Sequence, residues 1–87
     1  MENLVKISYL PFHVSPGYTN HYGVECFGSN INAFDDFYEA KHACDRNPSC
    51  GCFDSPGCGT NSPYTTHSGF KISENGDTAG FCAWVRI

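Results

Sequence analysis

Positive charge is scarce in this chain. Its 87 residues include five Lys and Arg against nine Asp and Glu, a formal net charge of −4. The basic residues are scattered, whereas binding to phosphates needs them clustered, so nucleic acid is not an expected partner. Long apolar runs are missing too. Nothing approaches the ~18 residues that cross a bilayer, and no membrane insertion is expected. The opening "MENLVKISYLPF" also lacks the apolar stretch of a signal peptide, because polar residues and Pro11 interrupt it. A secreted reading therefore requires a mature form or a piece of a longer chain. Leu, Ile and Val are few, so the core must be built largely from other side chains. The low-hydrophobicity, high-charge composition of a disordered chain is absent.

What is present fills that gap. Seven Phe, five Tyr and one Trp supply large buried areas from few residues. Nine Gly and five Pro point to many turns. A chain this short makes one domain, residues 1–87, and buries only ~60% or slightly more of its unfolded surface. Covalent staples would compensate, and six Cys allow up to three.

The pattern along the chain predicts a small α+β domain. In "LVKISYL", Val5, Ile7 and Tyr9 alternate with Lys6 and Ser8, which predicts a strand over residues 4–10. "YGVECF", residues 22–27, reads as a second short strand. A helix is expected over residues 36–46, capped by Asp35 or Asp36, with Glu39 at the capping-box position if Asp36 is the cap. At 100° per residue, Phe37, Ala40 and Cys44 share one face, while Glu39, His42 and Arg46 share the other. Lys41 borders the apolar face and must extend its ammonium to water. Asn47-Pro48 ends the helix, since a residue before Pro resists helical geometry. "CGCFD" then reads as a strand and residues 55–69 as a long loop. "FKIS" and "GFCAWVRI" flank Asn75-Gly76, a hairpin signal. Within the last strand, Phe81, Ala83, Val85 and Ile87 face one way and Cys82, Trp84 and Arg86 the other.

Three of the six cysteines crowd into "EAKHACDRNPSCGCF", residues 39–53, where they could be metal ligands, a redox centre or staples. Cys50, Cys52, Cys58 and His67 could supply four zinc ligands, but no second Cys or His knuckle accompanies them. Thiol-disulfide catalysis would want Cys-x-x-Cys beside a βαβ unit, which is lacking. Asp35-Asp36 reads as helix capping rather than paired catalytic carboxylates. "SENGDTAG" lacks the ligand spacing of a calcium loop. No catalytic residue, metal or cofactor is therefore expected.

The helix phrase "EAKHAC" followed by "DRNPSC" and an aromatic strand residue resembles the PAN/apple family. Cys44, Cys50 and Phe53 match that family's helix-to-strand signature, and "FCAWVRI" resembles its terminal Cys-containing strand. The resemblance covers about residues 17–87. It implies one helix packed on an antiparallel sheet, a Cys44–Cys50 bridge and an outer Cys26–Cys82 bridge. Cys52 and Cys58 are left over and would pair with each other. Many apple domains carry a further Cys one turn before the helix Cys; here that position is Ala40, so the bridge it would make is missing.

The resemblance also implies an extracellular, non-enzymatic module that binds a protein or glycan ligand, as in adhesion. A second reading is a structural subunit that forms homo-oligomers or polymers in a filament, sheath or matrix, since unprotected strands invite partners. Tyr18, Tyr22, Tyr64 and Trp84, with Arg86, are the candidate binding residues, although aromatics in so small a chain are also expected to fill the core. Trp84 shares a strand face with Cys82 and either packs over a bridge or stays accessible. Thr60, Ser62, Thr65, Thr66 and Ser68, beside Pro63, are candidate O-glycosylation positions on compositional grounds.

Overall fold

A computed structural model describes residues 17–59, 63–73 and 80–87. The expected strand over residues 4–10 and the turn at Asn75-Gly76 lie outside the described residues. Five strands and one helix run in the order β1 (Tyr18–Tyr22), β2 (Asn30–Phe34), α1 (Phe37–Arg46), β3 (Cys52–Pro56), β4 (Tyr64–His67) and β5 (Phe81–Arg86). They form one antiparallel sheet of order β1-β5-β3-β4-β2 with the helix packed on it. This is the expected α+β architecture.

The helix forms where the capping residues put it. Asp36 is extended, and its Oδ2 accepts from the amides of Tyr38 (3.0 Å) and Glu39 (3.1 Å). Those donors would otherwise have no partner in the first turn. Phe37, Ala40 and Cys44 are its buried residues, one turn apart along a single face. Lys41 does extend to water, bonding Asp45 Oδ2 at 2.8 Å while its ammonium lies 5.8 Å from the Tyr18 ring centre.

The core beneath the helix is an aromatic cluster. Phe37 meets Phe53, Tyr64 and Trp84 edge-on at 5.2–5.8 Å between ring centres. Phe53 and Trp84, cross-strand partners on β3 and β5, stack at 5.1 Å. Such pairs add to the area each ring buries. The opposite sheet face holds a smaller cluster of Cys26, Cys52, Ala83 and Val85, with Val24 and Ile72 against it. The alternation expected along β5 is therefore observed, and both of its faces are used. Residues 24–29 and 68–73 lie over this second face. We call residues 24–29 the strap.

Three disulfides lock these layers: Cys26–Cys52, Cys44–Cys50 and Cys58–Cys82. Cys44–Cys50 is as expected, but Cys26–Cys82 and Cys52–Cys58 are not formed. Alternation explains the correction: Cys52 points to the strap side of the sheet, where Cys26 lies, and Cys82 points to the helix side. Cys58, in a left-handed conformation at φ 54°, turns the chain after β3 and joins Cys82.

Three element boundaries also differ from expectation. Tyr18–Tyr22 is the strand near the start, rather than residues 22–27, because Gly23 takes a positive φ of 82° and turns the chain. Residues 55–69 contain β4, which lies between β3 and β2, so they are not one continuous loop. The segment "FKIS" does not pair with the last strand through its described residues. Ile72 instead makes an isolated bridge with Cys26, and β5 pairs with β1 and β3.

Candidate functional site

The outer face of α1 lines an open depression of about 810 Å³. Helix spacing builds it. Tyr38, His42 and Arg46 recur every four residues as one row, and Glu39, Ala43 and Asn47 form the adjacent row. Phe34, at the end of β2, and the cap residue Asp36 complete it. Tyr38 is 64% exposed and rests edge-on against the buried Phe37 ring at 5.1 Å, so a surface aromatic stands on a rigid base.

Charge is graded along this groove. Asp36 and Glu39 lie at the helix N-terminal end and Arg46 in the last turn, an order that complements the helix dipole. Aromatic faces, carboxylates, an imidazole, an amide and a guanidinium thus face one shallow surface. That mixture suits contact with a polar ligand bearing apolar patches. All six cysteines are in disulfides, so none is a thiol nucleophile or a free metal ligand.

The candidate binding residues named from the sequence do not form one surface. Tyr18, Tyr64 and Trp84 are brought together, but in the core, where each is buried. Tyr18 is tied further by its hydroxyl, which donates to Asp45 Oδ1 at 2.6 Å. Burial first, then the neighbouring Asp45 carboxylate, pushes the Tyr18 hydroxyl pKa up. Asp45 itself is held below the ordinary carboxylate range, because hydrogen bonds from Lys41 and Tyr18 outweigh the effect of burial. Tyr22 is exposed, but on β1, at the opposite sheet edge from β2.

Arg86 has a structural post. Its guanidinium reaches over the end of α1 and donates to the carbonyls of Cys44, Asn47 and Cys50 through Nη1 and of Asp45 through Nη2, at 2.8–2.9 Å. The Cys44 and Asp45 carbonyls belong to the last turn of the helix, and those of Asn47 and Cys50 to the turn that follows it, so one guanidinium ties the helix end to the chain reversal.

The remaining candidates separate similarly. Cys50, Cys52 and Cys58 belong to three different disulfides, so the zinc set with His67 is not assembled. Cys26, Asp54 and His67 do bring ligand-type atoms within 4.8 Å of one another, but the Cys26 sulfur is bonded to Cys52. Thr66 is buried, its hydroxyl bridging the Asn32 amide and carbonyl, so it is not open to a glycan. Thr65 is half-buried and Ser68 exposed. Thr60 and Ser62 lie outside the described residues.

The groove residues carried one readable signal, the shared polar face of Glu39, His42 and Arg46. A polar helix face is ordinarily only a solvated one, and Phe34 joins it through a turn of the chain that helix periodicity does not report. No protein-family model, curated protein or solved structure matches this chain. Three disulfides fit an oxidising compartment. No helix among the described residues is long and apolar enough to cross a membrane.

Proposed function

We propose that this protein is a non-enzymatic extracellular module of the PAN/apple kind that binds a carbohydrate or protein ligand, in the manner of an adhesion domain. The observation that carries the reading is the α1 groove. It gathers exposed aromatic and planar polar side chains on a helix fixed by a cap, a disulfide clip and Arg86. Preorganised donors and acceptors lose little freedom when a ligand arrives. Of the two ligand classes the groove favours carbohydrate, because Tyr38 offers a ring beside carboxylate, amide and guanidinium groups. The helix-to-strand phrase around Cys44, Cys50 and Phe53 supports the family assignment, and three disulfides support an extracellular setting.

A second reading, self-assembly into a filament, sheath or matrix, is favoured by a separate observation. Among the described residues β1 and β2 are the two edges of the sheet, and β2 bears the exposed residues Asn30, Asn32 and Ala33. An open edge can pair with another copy. Printed arrays of oligosaccharides and of purified extracellular glycoproteins, probed with labelled protein, separate the readings when combined with sedimentation velocity. Saturable binding by a monomer supports the module. Silent arrays with concentration-dependent growth in mass support assembly.

A further inference from the structure

The strap side of the sheet holds a buried histidine–carboxylate pair for which the groove has no use. His67 on β4 places Nε2 3.0 Å from Asp54 Oδ1 on β3, with both residues buried. The other imidazole nitrogen, Nδ1, lies 3.3 Å from the Gly28 carbonyl in the strap. Asp54 Oδ2 accepts from the Cys26 amide at 2.8 Å. The pair thus grips the strap at two points, flanking the Cys26–Cys52 disulfide.

Both imidazole nitrogens face acceptor oxygens, and only the imidazolium form can donate to both. The neutral form protonated on Nε2 turns a lone pair toward the Gly28 carbonyl. Protonated on Nδ1, it turns a lone pair toward the Asp54 carboxylate. Either neutral form therefore loses a hydrogen bond in a buried site. The strap cannot easily settle into a different path, because the Gly28 and Gly69 backbones cross in close contact. A Cβ on Gly28 would collide with the Gly69 amide nitrogen, and one on Gly69 with the Phe27 carbonyl.

We propose that Asp54 and His67 form a pH-operated clasp, closed when His67 is protonated, that holds the strap over the Cys26–Cys52 disulfide and loosens it when the proton leaves. The surrounding charges agree. Burial lowers the His67 pKa, but the hydrogen bond to Asp54, the Asp54 charge, the Gly28 carbonyl and Glu25 of the strap together raise it above the ordinary histidine value. The β5 residues on this face, Ala83 and Val85, carry no charge, and Asn30, the β2 partner of His67, is neutral. From residues 68–73, the Lys71 ammonium lies over the Phe27 ring at 4.8 Å. A histidine with a raised folded pKa contributes stability fully below its unfolded pKa and loses it as pH rises through the folded value.

Nitrogen-detected NMR of the His67 ring, with amide exchange followed across the same pH range, tests the clasp. We expect both ring nitrogens protonated at mildly acidic pH. As His67 titrates, protection of the Cys26 and Phe27 amides should fall severalfold after correction for intrinsic exchange, while Phe53 and Trp84 stay protected. His67→Gln, which can donate to Asp54 but does not titrate, should flatten that profile. A neutral His67 at mildly acidic pH, strap protection that ignores the titration, or an unchanged profile in His67→Gln would overturn the proposal. Should His67→Gln not fold, the wild-type titration decides alone.

Discussion

Arg86 shows how much one side chain can hold in place. Its guanidinium answers four carbonyls around the end of α1 and the Cys44–Cys50 clip, and it brings positive charge to the negative end of the helix dipole. Arg86→Ala should cost about 2–3 kcal/mol, since charged hydrogen bonds are lost and their acceptors are left partly buried. Arg86→Lys should recover only part of this, because an ammonium cannot reproduce the planar fork. Thermal denaturation of the three proteins checks the order, and a Lys variant as stable as wild type would contradict it. The sequence placed Arg86 on the Trp84 side of the last strand and offered it as a binding residue, not as the partner of a helix end. The latter role depends on contacts with residues some forty positions away in the chain.

At the scale of elements, the helix was readable because its signals are local: an Asp cap, a 3.6-residue apolar stripe and Asn47-Pro48 at its end. Asp36→Ala should therefore cost about 1 kcal/mol, measured by denaturant unfolding, through loss of the two amide bonds to its carboxylate. An unchanged midpoint would show that the cap is dispensable. β4 was obscured by the Gly, Pro and Ser around it, although Tyr64-Thr65-Thr66 is itself good strand material. β2, with the sequence Asn-Ile-Asn-Ala-Phe, has little apolar alternation because it is an edge strand. Its irregular register between Asn30 and Ala33 is spanned by the Thr66 hydroxyl, a contact no local pattern reports. The groove inherits this limit at one residue, Phe34, which the unforeseen strand β2 adds to the helix face.

Across the whole molecule, the staples and the aromatic core share the work of holding a small domain together. In place of the expected large Cys26–Cys82 closure and short Cys52–Cys58 closure stand two of intermediate size. Cys26–Cys52 and Cys58–Cys82 span 26 and 24 residues, each worth about 3–3.5 kcal/mol in the chain-entropy treatment. Cys58→Ala/Cys82→Ala should accordingly lower stability by about 3 kcal/mol and leave Cys26–Cys52 intact by peptide mapping. Recovery of a Cys26–Cys82 peptide from wild-type protein would refute the layer assignment. The sequence supplied the number of cysteines and the family resemblance implied the short clip, but the other partners depended on which face of the sheet each strand cysteine occupies. Stability should also fall as pH rises through the His67 titration, and this pH dependence should disappear in His67→Gln.

The central claim is that recognition belongs to the outer face of α1, and one paired measurement tests it. Wild-type protein and Tyr38→Ala are applied to the same oligosaccharide and glycoprotein arrays, with Tyr22→Ala as an exposed-aromatic control on β1. Tyr38 is a surface residue, so its truncation should leave the fold near its native stability, which a thermal melt verifies. The account predicts that wild type and Tyr22→Ala bind the same spots and that Tyr38→Ala loses at least tenfold in affinity, about 1.4 kcal/mol. Equal binding by Tyr38→Ala, or loss of binding only in Tyr22→Ala, would move the site off the helix and contradict the claim.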